Sequence, residues 1–400
     1  MRLIERTHYL EALKRVKGTP DIKVVTGIRR SGKSKLLDAY ANWVEKTDKK
    51  ANLIKINFSL VKFEPLTDYG ALNDYVEKSF VKGKNNCLFI DEVQLCGSFE
   101  KALNSLHATE KYDIYVTGSN AFLLSSDLAT LFTGRTFEIR IFPFSFAEYA
   151  IYYKAKNPEA LFDRYVREGG MAGSFLYKTE NEKYDYIRDD VFNALIVRDI
   201  ISKYKIRNKP FLEKLMDFLM DNVGNISSVR NMSKTLDASG NYTNNKTIGC
   251  YVEYLCRAFA FYRVRRYDIR GKKYLTTEDK FYLADHSFRY ARLGTRNMDY
   301  GHVYENIVAI ELLRRGYELY VGVLYKKEID FVAIRRNEKI YIQVSDDITR
   351  QETFEREVEP LLKIKDAYPK VLIARTNHDA YLHEGIRVID IAKWLLGKDS

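Results

Sequence analysis

The stretch "VVTGIRRSGKSKLL", residues 24–37, sets two glycines, two adjacent arginines and a lysine between a β-branched run and two leucines. Before it, "DIKVVTG" has the apolar run of a short buried strand; after it, Leu36, Leu37, Tyr40 and Val44 recur at helical spacing. Gly27, Gly32, Lys33 and Ser34 fill the pattern G-x-x-x-x-G-K-S, in the strand, loop, helix order that a phosphate-binding P-loop requires. Glycines let successive backbone N–H groups wrap phosphates, and the helix N-terminus adds positive potential. Lys33 is expected to reach the β and γ oxygens and Ser34 to ligate Mg2+, with Arg30, Ser31 and Lys35 completing the ATP-binding set. Chance yields such a pattern about once in fifty to a hundred chains of this length, so a second motif decides the matter.

That motif is "NNCLFIDEVQ", residues 85–94. Cys87 to Ile90 read as a buried parallel strand that delivers Asp91 and Glu92 at its end. Beside a P-loop the first acid is expected to hold magnesium and the second to polarise the attacking water; taken alone, both acids could simply be solvated. A third strand, "YDIYVTGSN", residues 112–120, ends in Thr117, Ser119 and Asn120. Ser119 is the candidate for sensing the γ-phosphate, against the alternative of an ordinary polar strand end. In "LATLFTGRTFEIR", Gly134 frees a turn that presents Arg135, either as an arginine finger or as one half of a fold-stabilising ion pair.

Together "GIRRSGKS", "LFIDEVQ", "TGSNAFLLSSDLATLFTGR" and "FPFSFAEY" resemble a bacterial and archaeal family of AAA-type P-loop ATPases that carry a C-terminal region of uncharacterised role. The resemblance covers almost the whole chain. It implies a parallel α/β nucleotide-binding sheet, ATP and Mg2+ as cofactors, and a finger or sensor role for Arg135, in its own subunit or a neighbour's.

At 400 residues the chain exceeds the size at which single cores stop growing, so several domains are expected. A net charge of +11 favours an anionic partner such as DNA, although a solvated basic surface would carry the same excess. The start is charged throughout, no later segment approaches a membrane-spanning run, and the four cysteines show neither zinc nor disulfide spacing. No membrane association and a reducing, cytoplasmic location are expected.

The expected organisation is a P-loop ATPase domain over 1–158, a helical lid or connector over 159–206, a winged helix-turn-helix over 207–296 and a nuclease-like α/β domain over 297–400. In the connector, Gly169, Gly170 and Gly173 suggest close backbone approach. After "NKP", three helical segments precede "AFYRVRRYD", the basic loop "IRGKKY" and "DKFYLAD", which reads as a two-stranded wing. In a DNA-binding winged helix, Asn244 and Lys246 would enter the major groove, while Arg265, Arg266, Lys272 and Lys273 would hold phosphates. The alternative is a lid or protein-docking module with a solvated hairpin.

The last hundred residues offer "GHVYENIVAIELLRRGYEL" and the strands "EIDFVAIRR" and "KIYIQVS". The arrangement resembles the restriction-endonuclease-like fold, with Glu305, Asp330 and Gln343 in its first three signature places. Ser345 stands where the fold's lysine belongs. Serine cannot activate water as a cation does, and Lys339, four strand residues from Gln343, is about 13 Å away. A non-cleaving, degenerate nuclease domain is therefore expected. The functional expectation is magnesium-dependent ATP hydrolysis coupled to DNA binding or remodelling. The alternatives are a nucleotide-gated switch for a protein partner and, third, a metal-dependent DNA nuclease; oligomerisation is left open.

Overall fold

Ile22, Val24 and Val25 are wholly buried in the middle of a parallel sheet, because helices cover both of its faces. Ile22 and Val24 point to one side, onto Leu72, Val76, Leu103 and Leu106. Val25 points to the other, onto Leu13, Leu36, Leu37 and Tyr40. Burial on both faces explains why this strand reads as an unbroken apolar run rather than an alternating one. The computed structural model describes residues 4–118, 132, 134–194, 200–237, 244–295 and 299–398. It divides into two units, Met1–Ile141 and Phe142–Ser400.

The first unit has strands β1 (Ile22–Thr26), β2 (Ala51–Asn57), β3 (Asn85–Asp91), β4 (Tyr112–Thr117) and β5 (Thr136–Arg140), in spatial order β2-β3-β4-β1-β5, all parallel. Helices α1 (Thr7–Arg15) and α2 (Lys33–Thr47) lie on one face, α3 (Tyr69–Lys78) and α4 (Phe99–Ala108) on the other. Parallel pairing brings the ends of β1, β3 and β4 to one edge of the sheet, where the P-loop, Asp91 and Thr117 follow.

The division at 141/142 falls earlier than the expected boundary at 158. Residues 146–153 form α5, whose rings pack within the second unit: Phe146 lies 5.5 Å from Phe162 and Tyr149 5.2 Å from Tyr165, centroid to centroid. The connector glycines are close-approach positions of that unit too. A Cβ on Gly170 would stand 2.2 Å from the Phe144 carbonyl oxygen.

The expected wing and nuclease-like segments share one sheet. Strands β6 (Phe261–Asp268) and β7 (Lys273–Leu283) form the hairpin, and β6 pairs in parallel with β8 (Glu318–Leu324). Strands β9 (Lys327–Arg335) and β10 (Glu338–Ser345) continue antiparallel, and β11 (Lys370–Ala374) lies parallel to β10. With β12 (Tyr381–His383) and β13 (Ile386–Asp390) the order is β12-β13-β11-β10-β9-β8-β6-β7. The hairpin is thus one edge of an eight-stranded sheet rather than a detached wing. The helices at Lys209–Asp221, Val229–Asp237 and Asn245–Arg257 precede it, and the helices at Tyr300–Arg314 and Gln351–Leu362 flank the strands that follow. Among the described residues, no helix is long and apolar enough to cross a membrane.

Candidate functional site

The P-loop is shaped by two glycines with different constraints. Gly27 has φ 139°, and a Cβ there would fall 2.1 Å from the Ile141 carbonyl oxygen, so crowding and conformation both require glycine. Gly32 has φ 96° with open space around it and forms the N-cap of α2, where only conformation selects glycine. The first turn of α2 contains no acid, so its N-terminal N–H groups keep their positive potential. Lys33, 6% exposed, donates from Nζ to the carbonyls of Gly27 at 2.8 Å and Ile28 at 3.1 Å. The Ser31 hydroxyl is buried without a hydrogen-bond partner among the described residues, which suits a loop built to meet an acceptor. Arg30 is exposed at φ 65°, and Lys35 is exposed near Asp38.

Asp91 joins four elements. Its carboxylate accepts from Ser34 Oγ at 2.9 Å, from Asn57 Nδ2 at 3.1 Å and from Thr117 Oγ1. Glu92 follows in the left-handed region at φ 57°, which turns it away from the strand direction. The Glu92 N–H donates to Thr117 Oγ1 at 3.3 Å, and its carboxylate accepts from Gln94 Nε2 at 2.5 Å. Ser34 and Asp91 therefore present two oxygens side by side, a donor set that suits magnesium, which prefers one or two protein oxygens plus phosphate and water.

Nothing in the sequence singles out Asn57, Gln94 or Arg6 for this site, and Thr117 reads there only as part of a polar strand end. Arg6 Nη1 donates to the Ser31 carbonyl at 2.9 Å and its guanidinium stacks over Tyr9 at 4.6 Å, so the segment before α1 braces the loop. Parallel register offered one signal: Asn57 ends β2 opposite Asp91. Ser119 lies outside the described residues.

Arg135 is at the other end of the sheet. Its carbonyl accepts from Ile22 N–H at 2.9 Å, and register runs from Ile22 opposite Thr136 to Thr26 opposite Arg140. Four strand residues, about 13 Å, separate it from the P-loop end. Arg135 is exposed there, at the opposite end of this subunit's sheet from the phosphate site.

In the second unit, the acids expected of a nuclease-like fold do converge, but around a lysine from elsewhere. Lys280 on β7 places Nζ 2.8 Å from Glu305, 2.5 Å from Glu328 and 3.9 Å from Asp330. Tyr282 donates to Glu305 at 2.5 Å. Asp330 accepts from Val344 N–H at 2.8 Å, and Gln343 bridges the Asp330 N–H at 3.3 Å to Glu357 at 3.0 Å. Burial, and then Glu305, push the Asp330 carboxyl well above its ordinary range; the three carboxylates raise Lys280 despite its burial. Ser345 turns its hydroxyl to the Asp347 carbonyl at 3.0 Å. Sequence spacing could not reveal Lys280, because it precedes the three other residues and belongs to the hairpin.

On the hairpin itself, Arg265, Lys272 and Lys273 are exposed, whereas Arg266 is paired with Glu278 at 2.5 Å. Asn244 caps its helix by accepting from Thr247 N–H at 2.8 Å; Lys246 is exposed one residue into that helix.

Residues 19–150 match the family model of an AAA domain, and residues 159–299 that of a domain of unknown function, DUF8612. An uncharacterized protein of Haemophilus influenzae is 35% identical over 398 residues, covering 98% of this chain and 99% of that protein. Uncharacterized protein MJ1544 of Methanocaldococcus jannaschii is 26% identical over 362 residues, covering 86% of this chain and 79% of that protein. Among solved structures, the Walker-type ATPase PABY2304 of Pyrococcus abyssi aligns at 15% identity and a TM-score of 0.46, covering 72% of this chain and 95% of that one.

Proposed function

Because this chain belongs to the family of the Haemophilus influenzae protein and carries an AAA domain at residues 19–150, we propose that it is a magnesium-dependent ATPase whose nucleotide cycle is coupled to DNA binding or remodelling. The observation that carries the ATPase reading is the 2.9 Å contact between Ser34 Oγ and Asp91 at the mouth of the P-loop. ATP phosphates would take over the Lys33 ammonium from the Gly27 and Ile28 carbonyls and meet the N–H groups at the start of α2. Magnesium, when bound, neutralises phosphate charge. Ser34 and Asp91 would hold it, Asn57 and Thr117 would keep Asp91 aimed, and Glu92, oriented by Gln94, would accept the proton of the attacking water. Arg135 would serve a neighbouring copy, which makes an oligomer part of the proposal.

The DNA half is supported by the exposed Arg265, Lys272 and Lys273 and by the net charge of +11. ATP turnover of the full chain, measured with and without DNA at several salt concentrations, tests both halves. Turnover absent under all conditions sinks the first; turnover indifferent to DNA sinks the second.

A second reading, a nucleotide-gated switch for a protein partner, is favoured by the exposure of Leu60 (48%), Val61 (82%) and Leu95 (50%) on segments that adjoin Asp91. The same turnover assay separates the readings, since a switch hydrolyses slowly and ignores DNA. For the acid cluster we assign a non-cleaving role, because the Lys280 ammonium sits among the carboxylates that a nuclease would give to metal.

A further inference from the structure

One face of the eight-stranded sheet carries a contiguous row of tyrosines and cations at its hairpin end. Tyr274 on β7 lies opposite Tyr267 on β6, with ring centroids 5.5 Å apart, and 4.9 Å from Tyr320 on β8. Lys339 on β10 extends its ammonium to 5.6 Å from Tyr267 and 4.5 Å from Tyr368. Tyr267 is buried and anchors the row in the core, whereas Tyr274 and Tyr368 stand 59% and 42% exposed. Arg265 is exposed on the same face, in register with Tyr320. Among the described residues of this face, Asp279 is paired with Arg263 at 3.4 Å, while Glu318 and Asp366 accept from the neutral hydroxyls of Tyr320 at 3.2 Å and Tyr341 at 2.6 Å.

Exposed rings of this size are costly to leave in water unless something covers them. A duplex cannot cover them, since its bases are already stacked on each other. An unpaired strand can, because every base offers a π face to a tyrosine while its phosphates meet flanking cations. We propose that Tyr274, Tyr320 and Tyr368, with Arg265 and Lys339, form a stacking platform for single-stranded nucleic acid. The proposal rests on the nucleic-acid half of the function given above and names its substrate as the unpaired strand. It also gives the annealed hairpin a use that a free wing would not have: a rigid sheet face holds the rings in fixed positions.

The test is fluorescence anisotropy of the full chain with a labelled dT12, rU12 and a 12-base-pair duplex, together with a fluorescent ATP analogue as control. The unpaired strand should bind more tightly than the duplex, with dT12 against rU12 deciding which sugar is preferred. Tyr274→Ala should weaken dT12 binding about tenfold, within the range per stacked base. Tyr274→Phe should bind as the parent does, and ATP-analogue binding should be unchanged in both. Arg265→Ala and Lys339→Ala should each reduce the salt slope for the single strand by about 0.7. Wild-type affinity for dT12 in both Tyr274→Ala and Tyr320→Ala, with duplex binding intact, would overturn the platform alone. Binding of neither strand form would overturn the nucleic-acid reading with it.

Discussion

The Lys280 ammonium lies 2.8 Å from Glu305 Oε1, and both side chains are almost wholly buried, at 4% and 7% side-chain exposure. A cation carried by the hairpin edge of the sheet therefore neutralises an acid carried by the helix at 300–314. Removing it strands Glu305 as an uncompensated buried carboxylate. Lys280→Met should lower stability by about 3–5 kcal/mol, the usual cost of halving a buried pair. Urea unfolding of the full chain measures it; a loss below about 1 kcal/mol means that the acids are solvated or protonated after all.

The same cluster bears on cleavage. Linear and branched DNA incubated with the protein and Mg2+ or Mn2+ should remain intact. Metal-dependent cutting that Asp330→Asn abolishes would overturn the non-cleaving assignment of the acid cluster.

At the P-loop, Glu92→Gln should bind ATP normally and lose at least about a hundredfold in turnover, the scale of general-base removal. Lys33→Ala should lose binding itself. Persisting turnover in Glu92→Gln identifies another base.

Arg135 offers a test by mixing. Arg135→Ala and Glu92→Gln should each be inactive alone, yet regain part of the activity when combined, because one copy supplies the arginine and the other the intact site. An arginine finger is worth about 10³ or more in rate. No recovery on mixing, at concentrations where the protein self-associates, rules out action between subunits.

Asp48 supplies a pH-dependent term. Hydrogen bonds from Lys17 and Asn85 hold its carboxyl down at about 2. Its folded value lies below its unfolded one, so its stabilising contribution is complete above the unfolded value near 4 and is lost as pH falls toward about 2. The stability gap between wild type and Asp48→Asn should therefore narrow from pH 5 to pH 3 in urea titrations, and a constant gap refutes the linkage.

Local pattern made the placement of the P-loop residues legible. The glycines, Lys33, Ser34, Asp91 and Glu92 sit where strand and helix periodicity put them, since a P-loop is a contiguous device. What parallel pairing assembles was harder to read. Thr117 and Asn57 reach Asp91 only because β4 and β2 flank β3. The distance from Arg135 to the loop depends on β5 running beside β1 in the same direction. The hairpin was legible as two strands, but its annealing to β8 depends on residues some fifty positions later, a non-local pairing that no turn signal encodes. Lys280 was hidden for the same reason.

That annealing also fixes an order of events during synthesis. Domains generally form as their residues leave the ribosome, earlier segments first. Here β6 emerges well before β8, the strand that pairs with its outer edge. Until β8 arrives, β6 presents an unpaired row of N–H and carbonyl groups, an edge prone to capture by other nascent chains. Residues 159–299, which a family model treats as a domain, therefore contain a strand, β6, one of whose neighbours lies beyond them. A chain cut near residue 296 would keep that edge unpaired permanently, because the strand that covers it lies in the last hundred residues.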